Sequence, residues 1–382
     1  MASTAVETSV FMWGDRRSSE HDIKAMARAL ADSGVVDSLS IPDHMVNLIP
    51  PSLWTPEHAP LAALVDDPDS LMDAVVMGML AHAGAPELHL NFCGDPVRRS
   101  PADWCQLMWS LSSVLDGKVR FQFGPGEAKN LNPYGHKRAQ GLARFEDLLK
   151  ISKALWDADK PIDYIGNHWE LQQAYLGSAK SHRPQIWSMG TGPKQLELAT
   201  TYCDGMTGSI PNVWTTPAHA KAEIDQIKAM LVDKGRDPAQ IGFGAFCMVI
   251  CHEDPVVIDR ALDNPIIRWL AAVVGRLKSP AEFRKDGIEP ATPEGWLYFQ
   301  KLLPYATSAA FADDVVSKSS RRMAEASFLY GDAASIATQI RGYADAGITA
   351  INLMDFAPLV LQPADAMRSL ERMIAICATL KG

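Results

Sequence analysis

An α/β chain folded as a (β/α)₈ barrel is what the sequence predicts, on two observations. Strand-like and helix-like segments alternate eight times along 382 residues, the order such a barrel requires. Polar residues also gather just past the strand-like segments, where barrel enzymes keep their chemistry. Residues 119–156 show both features in one unit. Val119, Phe121 and Phe123 alternate as a half-buried strand does. Gly124, Pro125 and Gly126 end that strand, since proline lacks an N–H and glycine tolerates backbone angles other residues avoid. An acid, Glu127, and an amide, Asn130, stand at its end. A helix then returns over 140–156, with Leu142, Phe145, Leu148, Leu149 and Leu155 at helical spacing. Periodicity alone leaves a doubly wound sheet open, because its alternation is the same.

In chain order, a first strand is expected at 8–13 and a helix at 20–31. The second strand, 35–41, ends at Pro42-Asp43-His44 and runs into a proline-rich loop before an apolar helix over 71–83. Strand three covers 87–93; the helix after it, 101–115, begins with proline, where the missing N–H does no harm. The unit just described supplies strand four. Residues 163–176 read as an excursion, a hairpin on the barrel rim. Strands five and six lie at 185–189 and 205–209, each followed by a helix, at 194–202 and 217–234. Strand seven covers 241–251 and strand eight 348–354, closed by a helix over 364–380. Residues 255–330 are too long for one crossover helix and rich in Pro, Trp and Arg. They predict a mostly helical insertion between strand seven and the last barrel strand, before a returning helix at 332–346. The whole, 1–382, reads as a single domain with 255–330 inserted.

Composition narrows the function. Hydrophobic residues make up 47% and charged residues 21% of the chain, which suits a soluble globular protein with a sizeable core. A net charge of −9 and a pI near 5.6 argue against nucleic acid or an acidic membrane surface as partner. No apolar run reaches the roughly 18 residues of a membrane span, and the N-terminal stretch 1–10 lacks the pattern of a secretory leader. Six scattered cysteines in mostly apolar segments indicate a reduced, cytoplasmic protein. Cys247-x-x-x-Cys251-His252 matches no common zinc spacing, so no metal is expected.

Three strand ends carry chemistry. His44 follows Asp43, and an imidazole near neutral pKa takes a proton from an alcohol or returns one; a strand-end histidine can equally be structural. Glu127 follows small residues, so its carboxyl can approach a bound ring, or it can face water. Gly190-Thr191-Gly192-Pro193-Lys194 bares backbone N–H groups ahead of a helix, whose N-terminus favours a phosphate; an ordinary strand–helix turn would look the same.

Together these segments resemble the bacterial-luciferase-like superfamily. Pro42-Asp43-His44, the Gly-x-Gly-Glu-Ala-x-Asn run at 124–130, Arg144-Phe145-Glu146 and the 190–193 turn carry the resemblance. Gly-Glu-Ala-x-Asn is similar to the branch that uses the deazaflavin coenzyme F420 rather than FMN, and DHMVNLIPPS, RRSP, NPYG and GRDP look most like its phthiodiolone ketoreductase-type members. The resemblance implies hydride transfer between F420 and a carbonyl or secondary alcohol, with an FMN-dependent monooxygenase as the alternative and a non-catalytic cofactor-binding protein behind it. It implies that His44 and Glu127 flank the transfer site. Asp43, Asn91, Phe92, Cys93, Gly126 and Asn130 would hold the ring, strand three often bending there with a cis peptide. Met189, Gly190, Thr191, Gly192 and Pro193 would hold the phosphate end. Sugar-phosphate dehydrogenases of the branch carry Trp four residues after the His, where this chain has Leu48. Leu48 and Trp54 therefore favour a less polar substrate. A homodimer is also expected.

Overall fold

The structure, a computed structural model, describes residues 6–382; residues 1–5, part of the stretch read for a secretory leader, lie outside the described residues. In chain order the strands are β1 (Glu7–Phe11), β2 (Ser38–Pro42), β3 (His89–Gly94), β4 (Val119–Phe123), β5 (Ile162–Ile165), β6 (Glu170–Ala174), β7 (Gln185–Met189), β8 (Gly205–Ile210), β9 (Gly242–Cys251), β10 (Leu329–Gly331) and β11 (Ala350–Asp355). β1, β2, β3, β4, β7, β8, β9 and β11 are parallel and close into a ring, with Ser9 opposite Asn352 and Thr207 opposite Gly244. This closure excludes the doubly wound sheet. β5 and β6 form the expected hairpin, an antiparallel pair outside the ring.

Alternation of side chains along each strand sorts the wall into two faces. Inward, Ser40 donates to Asn352 Oδ1 at 2.6 Å, Asn91 to Ser38 Oγ at 3.0 Å and Thr207 to Gln122 Oε1 at 2.5 Å. Below this polar layer Trp187 fills the bore. A Cβ on Gly205 or Gly242 would stand 2.2 or 2.3 Å from its ring, so both positions need glycine. Arg120 lies over the same indole at 4.0 Å and pairs with Glu7 at 2.8 Å. Outward, Leu39, Leu90, Phe121 and Leu353 are buried against the surrounding helices.

Those helices are α1 (Glu20–Asp32), α2 (Ala74–Gly84), α3 (Pro101–Val114), α4 (Ala128–Leu131), α5 (Gly141–Asp157), α6 (Pro193–Tyr202) and α7 (Pro217–Asp233) before β9. Capping boxes start two of them, Ser19 with Asp22 and Ser100 with Asp103. After β9 come α8 (Pro255–Asp263), α9 (Pro265–Val274), α10 (Tyr298–Lys301), α11 (Ala309–Lys318) and α12 (Arg321–Glu325), then α13 (Ala333–Asp345), α14 (Pro363–Ala366) and α15 (Ser369–Lys381).

The inserted helices build a second apolar core. α9 is apolar nearly all round, as a fully enclosed helix must be; Ile266, Ile267, Trp269 and Leu270 are buried within it. Ile49, Leu53 and Trp54 from the loop after β2 join this core rather than the barrel's. Two features depart from the sequence reading. A three-residue strand, β10, sits inside the stretch read as helical and pairs with β9 from Val249 onward, beyond the end of β8. Asn91–Cys93 has no cis peptide: β3 keeps an unbroken register with β2 and β4 there, and among the described residues the cis bond is Ile210–Pro211. No helix among the described residues is long and apolar enough to cross a membrane.

Candidate active site

Between the barrel and the cap formed by the inserted helices and the apolar loop after β2 lies a cavity of about 1900 Å³ at the C-terminal ends of the strands. That exceeds the roughly 300–1,000 Å³ of an ordinary small-molecule pocket, so it has room for two ligands at once. His44 and Glu127 both line it, delivered by the ends of β2 and β4.

Glu127 is the hub. Its Oε2 pairs with Lys129 Nζ at 3.0 Å and accepts from Asn130 Nδ2 at 3.1 Å, while its Oε1 accepts from the Tyr298 hydroxyl at 2.8 Å. Burial alone would raise its pKa, but the Lys129 ammonium and the Tyr298 hydrogen bond outweigh it and bring the carboxyl down to about 2. Glu127 is therefore a carboxylate at neutral pH. His44 Nε2 is 4.0 Å from Glu127 Oε2, and its ring stands 5.6 Å from that of Trp13. Burial and the nearby Lys129 ammonium push the imidazole down to about 3 against the pull of Glu127. His44 is thus neutral, with one nitrogen free to accept a proton. Burial, then Glu127, raise the Tyr298 hydroxyl well above its ordinary value.

A second ionic group braces the floor. Arg98 bridges Asp43 Oδ2 at 2.8 Å and Asp95 Oδ2 at 2.7 Å. Burial raises the Asp43 carboxyl even against Arg98, whose own charge is opposed by burial and secured by the two acids. Asp43 and Cys93 reach the cavity wall, and burial pushes the Cys93 thiol up to about 12, so it is inert. Gly126 bends the strand end at φ +84°, and a Cβ there would strike Leu131 at 2.6 Å. Asn130 Oδ1 accepts from Met45 N at 2.9 Å, tying the two strand-end loops together.

Across the cavity stands the turn Met189–Pro193, each residue on the wall. Gly190 has φ +116°, and a Cβ there would fall 2.6 Å from Gln195 Oε1. Gly192 caps α6 with no side-chain cap, and a Cβ there would meet nothing within 4 Å. The amides of Thr191, Gly192, Lys194 and Gln195 have no acceptor among the described residues. Four open N–H groups at a helix N-terminus fit an anion.

Not every residue expected at the site is brought there. Asn91 points into the bore, 1% exposed, and Phe92 points outward to stack on Phe121 at 5.8 Å; neither is on the cavity wall. Leu48 and Trp54 do line it, and both belong to the cap: Leu48 O accepts from Trp269 Nε1 at 2.9 Å, and Trp54 Nε1 donates to Val65 O at 2.9 Å. Four residues of the site carry no role in the sequence reading: Lys129 and Tyr298 go unremarked, Arg98 reads as one of a solvated basic pair, Arg98-Arg99, and Asp95 only as part of the strand-three end 91–95. Lys129 sits inside the Glu-Ala-x-Asn run and could have been flagged as a cation between two polar site residues. Tyr298 is 171 positions from its partner, with no local signal.

Comparison with known proteins gives three findings. A family model described as luciferase-like monooxygenase matches residues 51–350. The phthiodiolone/phenolphthiodiolone dimycocerosates ketoreductase of Mycobacterium sp. (strain JLS) is 28% identical over 276 residues, 71% of this chain and 71% of its own. Its counterpart from Mycobacterium kansasii is 30% identical over 241 residues, 62% of this chain and 65% of its own. Among solved structures, an F420-dependent secondary alcohol dehydrogenase in complex with an F420–acetone adduct superposes with a TM-score of 0.71 at 17% identity, over 99% of this chain and 100% of that one. At that identity the likeness is one of fold.

Proposed function

We propose that this chain, which belongs to the luciferase-like monooxygenase family, moves a hydride between the deazaflavin coenzyme F420 and a carbonyl or secondary alcohol of a largely apolar substrate. The observation that carries this reading is the single cavity joining an open amide turn at 190–195 to the His44–Glu127 pair. The ketoreductase relatives and the F420-dependent alcohol dehydrogenase neighbour support the carbonyl–alcohol pair as substrate class.

The residues present fit such a cofactor. Thr191, Gly192, Lys194 and Gln195 offer amides to its phosphate, and the missing Cβ of Gly192 leaves the approach open. Asp43, Cys93, Gly126 and Asn130 would meet its ring. When bound, a deazaflavin supplies or takes two electrons as hydride at carbon, with little oxygen chemistry. The protein's own part is orientation and the proton. Neutral His44 can hold the reacting oxygen by a hydrogen bond. Leu48, Trp54, Phe246 and Met248 give the substrate an apolar bed, where burying hydrocarbon yields about 25 cal/mol per Å². A homodimer in the cytoplasm belongs to the same reading.

Fluorescence-quenching titration of the purified protein with F420 and with FMN tests it. F420 is expected to bind clearly more tightly, and Gly192→Trp to weaken binding without lowering the melting temperature. Tight FMN binding with no measurable F420 binding would favour an FMN-dependent monooxygenase instead.

A further inference from the structure

Reducing a carbonyl takes a proton as well as a hydride: carbon gains the hydride, and the oxygen, left as an alkoxide, must form an O–H bond. Of the groups on the cavity wall, the three gathered at Glu127 are poorly placed to give that proton. Glu127 accepts three hydrogen bonds, all of which favour its carboxylate form. His44 is neutral, and losing its remaining N–H would leave an imidazolate. Tyr298 would become a phenolate at 2.8 Å from a carboxylate. The cation in contact with Glu127 is Lys129, and it is 1% exposed. Its Nζ reaches Glu127 Oε2 at 3.0 Å, Val46 O at 2.6 Å and Asn130 Oδ1 at 3.4 Å, one acceptor for each N–H.

We propose that Lys129 stores the proton that ends on the substrate oxygen and passes it through the carboxylate of Glu127. The inference rests on the hydride-transfer reading above, whose reduced deazaflavin supplies the electron pair. A Lys129 N–H bond breaks as Glu127 Oε2 is protonated; that carboxyl then gives its proton to the alkoxide and returns to a carboxylate. The net change is an ammonium and an alkoxide becoming an amine and an alcohol. Two charges vanish from a low-dielectric site, which favours the transfer. Alcohol oxidation runs the same path in reverse, onto a neutral Lys129. Asp69, Arg98 and His44 face the ammonium, and Tyr298 and Arg138 face Glu127. Burial pulls the ammonium below its ordinary value while Glu127 opposes it, which leaves Lys129 readier than a surface lysine to release a proton. Lys129 does not touch the cavity, so it is a positioning residue acting through Glu127.

Lys129→Met and Lys129→Arg separate the proton from the charge. Single-turnover ketone reduction by protein preloaded with reduced deazaflavin is measured from pH 6 to 9. Infrared spectra of ¹³C-glutamate-labelled, cofactor-free protein, referenced to Glu127→Gln, report the state of Glu127. Both variants should lose about 10²–10⁴ in rate at pH 8 while binding deazaflavin near-normally. Lys129→Met should regain rate as the pH falls and solvent protonates Glu127, with a protonated carboxyl in its spectrum. Lys129→Arg should keep the carboxylate and stay slow throughout, because arginine holds its proton. Turnover of Lys129→Arg within a few-fold of the parent would overturn the proposal, since charge alone would then suffice. So would a protonated Glu127 in the parent at pH 7, a result that stands even if a variant misfolds. A parent that binds no deazaflavin, yet shows the expected infrared states, would count against the hydride-transfer reading and leave the pairing of Lys129 with Glu127 standing.

Discussion

The barrel and the cap solve burial in opposite ways. The barrel keeps hydrocarbon on the outside of its wall and threads the bore with hydrogen-bonded serine, asparagine, threonine and glutamine, such as Ser40 with Asn352. The cap interior is mainly apolar, with Trp269, Phe283 and Phe328 packed with α9 and α11. Buried polar groups there, such as Arg276, Ser319 and Ser327, bond to local backbone carbonyls and to Asp286. The ionic network around Glu127 and Asp43 is held on the barrel side of the cavity, where a rigid hydrogen-bonded wall fixes it. His44, Glu127, Lys129, Arg98 and Asp43 all come from barrel strand ends or the loops directly after them, while the cap side supplies Leu48, Trp54, the Tyr298 hydroxyl and the two wall lysines Lys278 and Lys301. Barrel residues set the chemistry, and cap residues set the shape that admits a substrate. Tyr298 on Glu127 at 2.8 Å and Tyr305 on Asp69 at 2.7 Å tie the halves together.

The sharpest way to break that division is to remove chemistry from the barrel side. His44→Ala and Glu127→Gln are each expected to lose about 10²–10⁴ in single-turnover rate while keeping F420 binding near the parent's. If both variants turn over within a few-fold of the parent, acid–base work does not reside in these residues. Loss of fold, cofactor and activity together in His44→Ala would make that histidine structural.

Next in size is the cap core. Trp269→Ala should cost about 3–5 kcal/mol, and the loss should be local. Hydrogen exchange is expected to quicken in α9 and α11 while β1 to β4 keep their protection. Uniform acceleration across both regions would show that the two cores unfold as one unit.

A smaller effect is expected at the tie between the halves. Tyr298→Phe removes a hydrogen bond to a charged group, about 1.5–3 kcal/mol at most, and leaves the carboxylate still held by Lys129 and Asn130. KM for substrate should rise several-fold with kcat changed less. A kcat loss as deep as that of Glu127→Gln would move Tyr298 from the cap's shape-setting side to the chemistry.

Smallest near neutrality is the pH effect. Folding lowers the His44 pKa from 6.5 to about 3, so below pH 6.5 the unfolded chain binds a proton that the folded one refuses. The stability this contributes is present in full above pH 6.5 and drains away as the pH falls to about 3. Glu127 adds a loss that begins below its ordinary 4.5 and continues to about 2. His44→Gln should flatten the stability profile between pH 6 and 4 in denaturant titrations; an unchanged slope there would place the acid sensitivity elsewhere.

Local signals were enough for the barrel and for half of the site. Period-two strands, Pro-Asp-His and Gly-Glu-Ala-x-Asn after them, and the glycine turn at 190–193 depend on near neighbours in the chain, and the structure sets these motifs around one cavity. The same period, followed one step further, would have separated Asn91 from Phe92: adjacent strand residues face opposite ways, and here one enters the bore and the other the helix layer. Folding alone decided the rest. Nothing near residue 298 marks a tyrosine that meets a glutamate 171 positions away. The short β10 forms because β8 stops and leaves an edge of β9 unpaired. Above all, the charge states of His44 and Glu127 were decided by enclosure and by Lys129 at 3.0 Å. A sequence names which groups can ionise, but desolvation and Coulomb energy depend on distances and dielectric that exist only once the chain has closed around them.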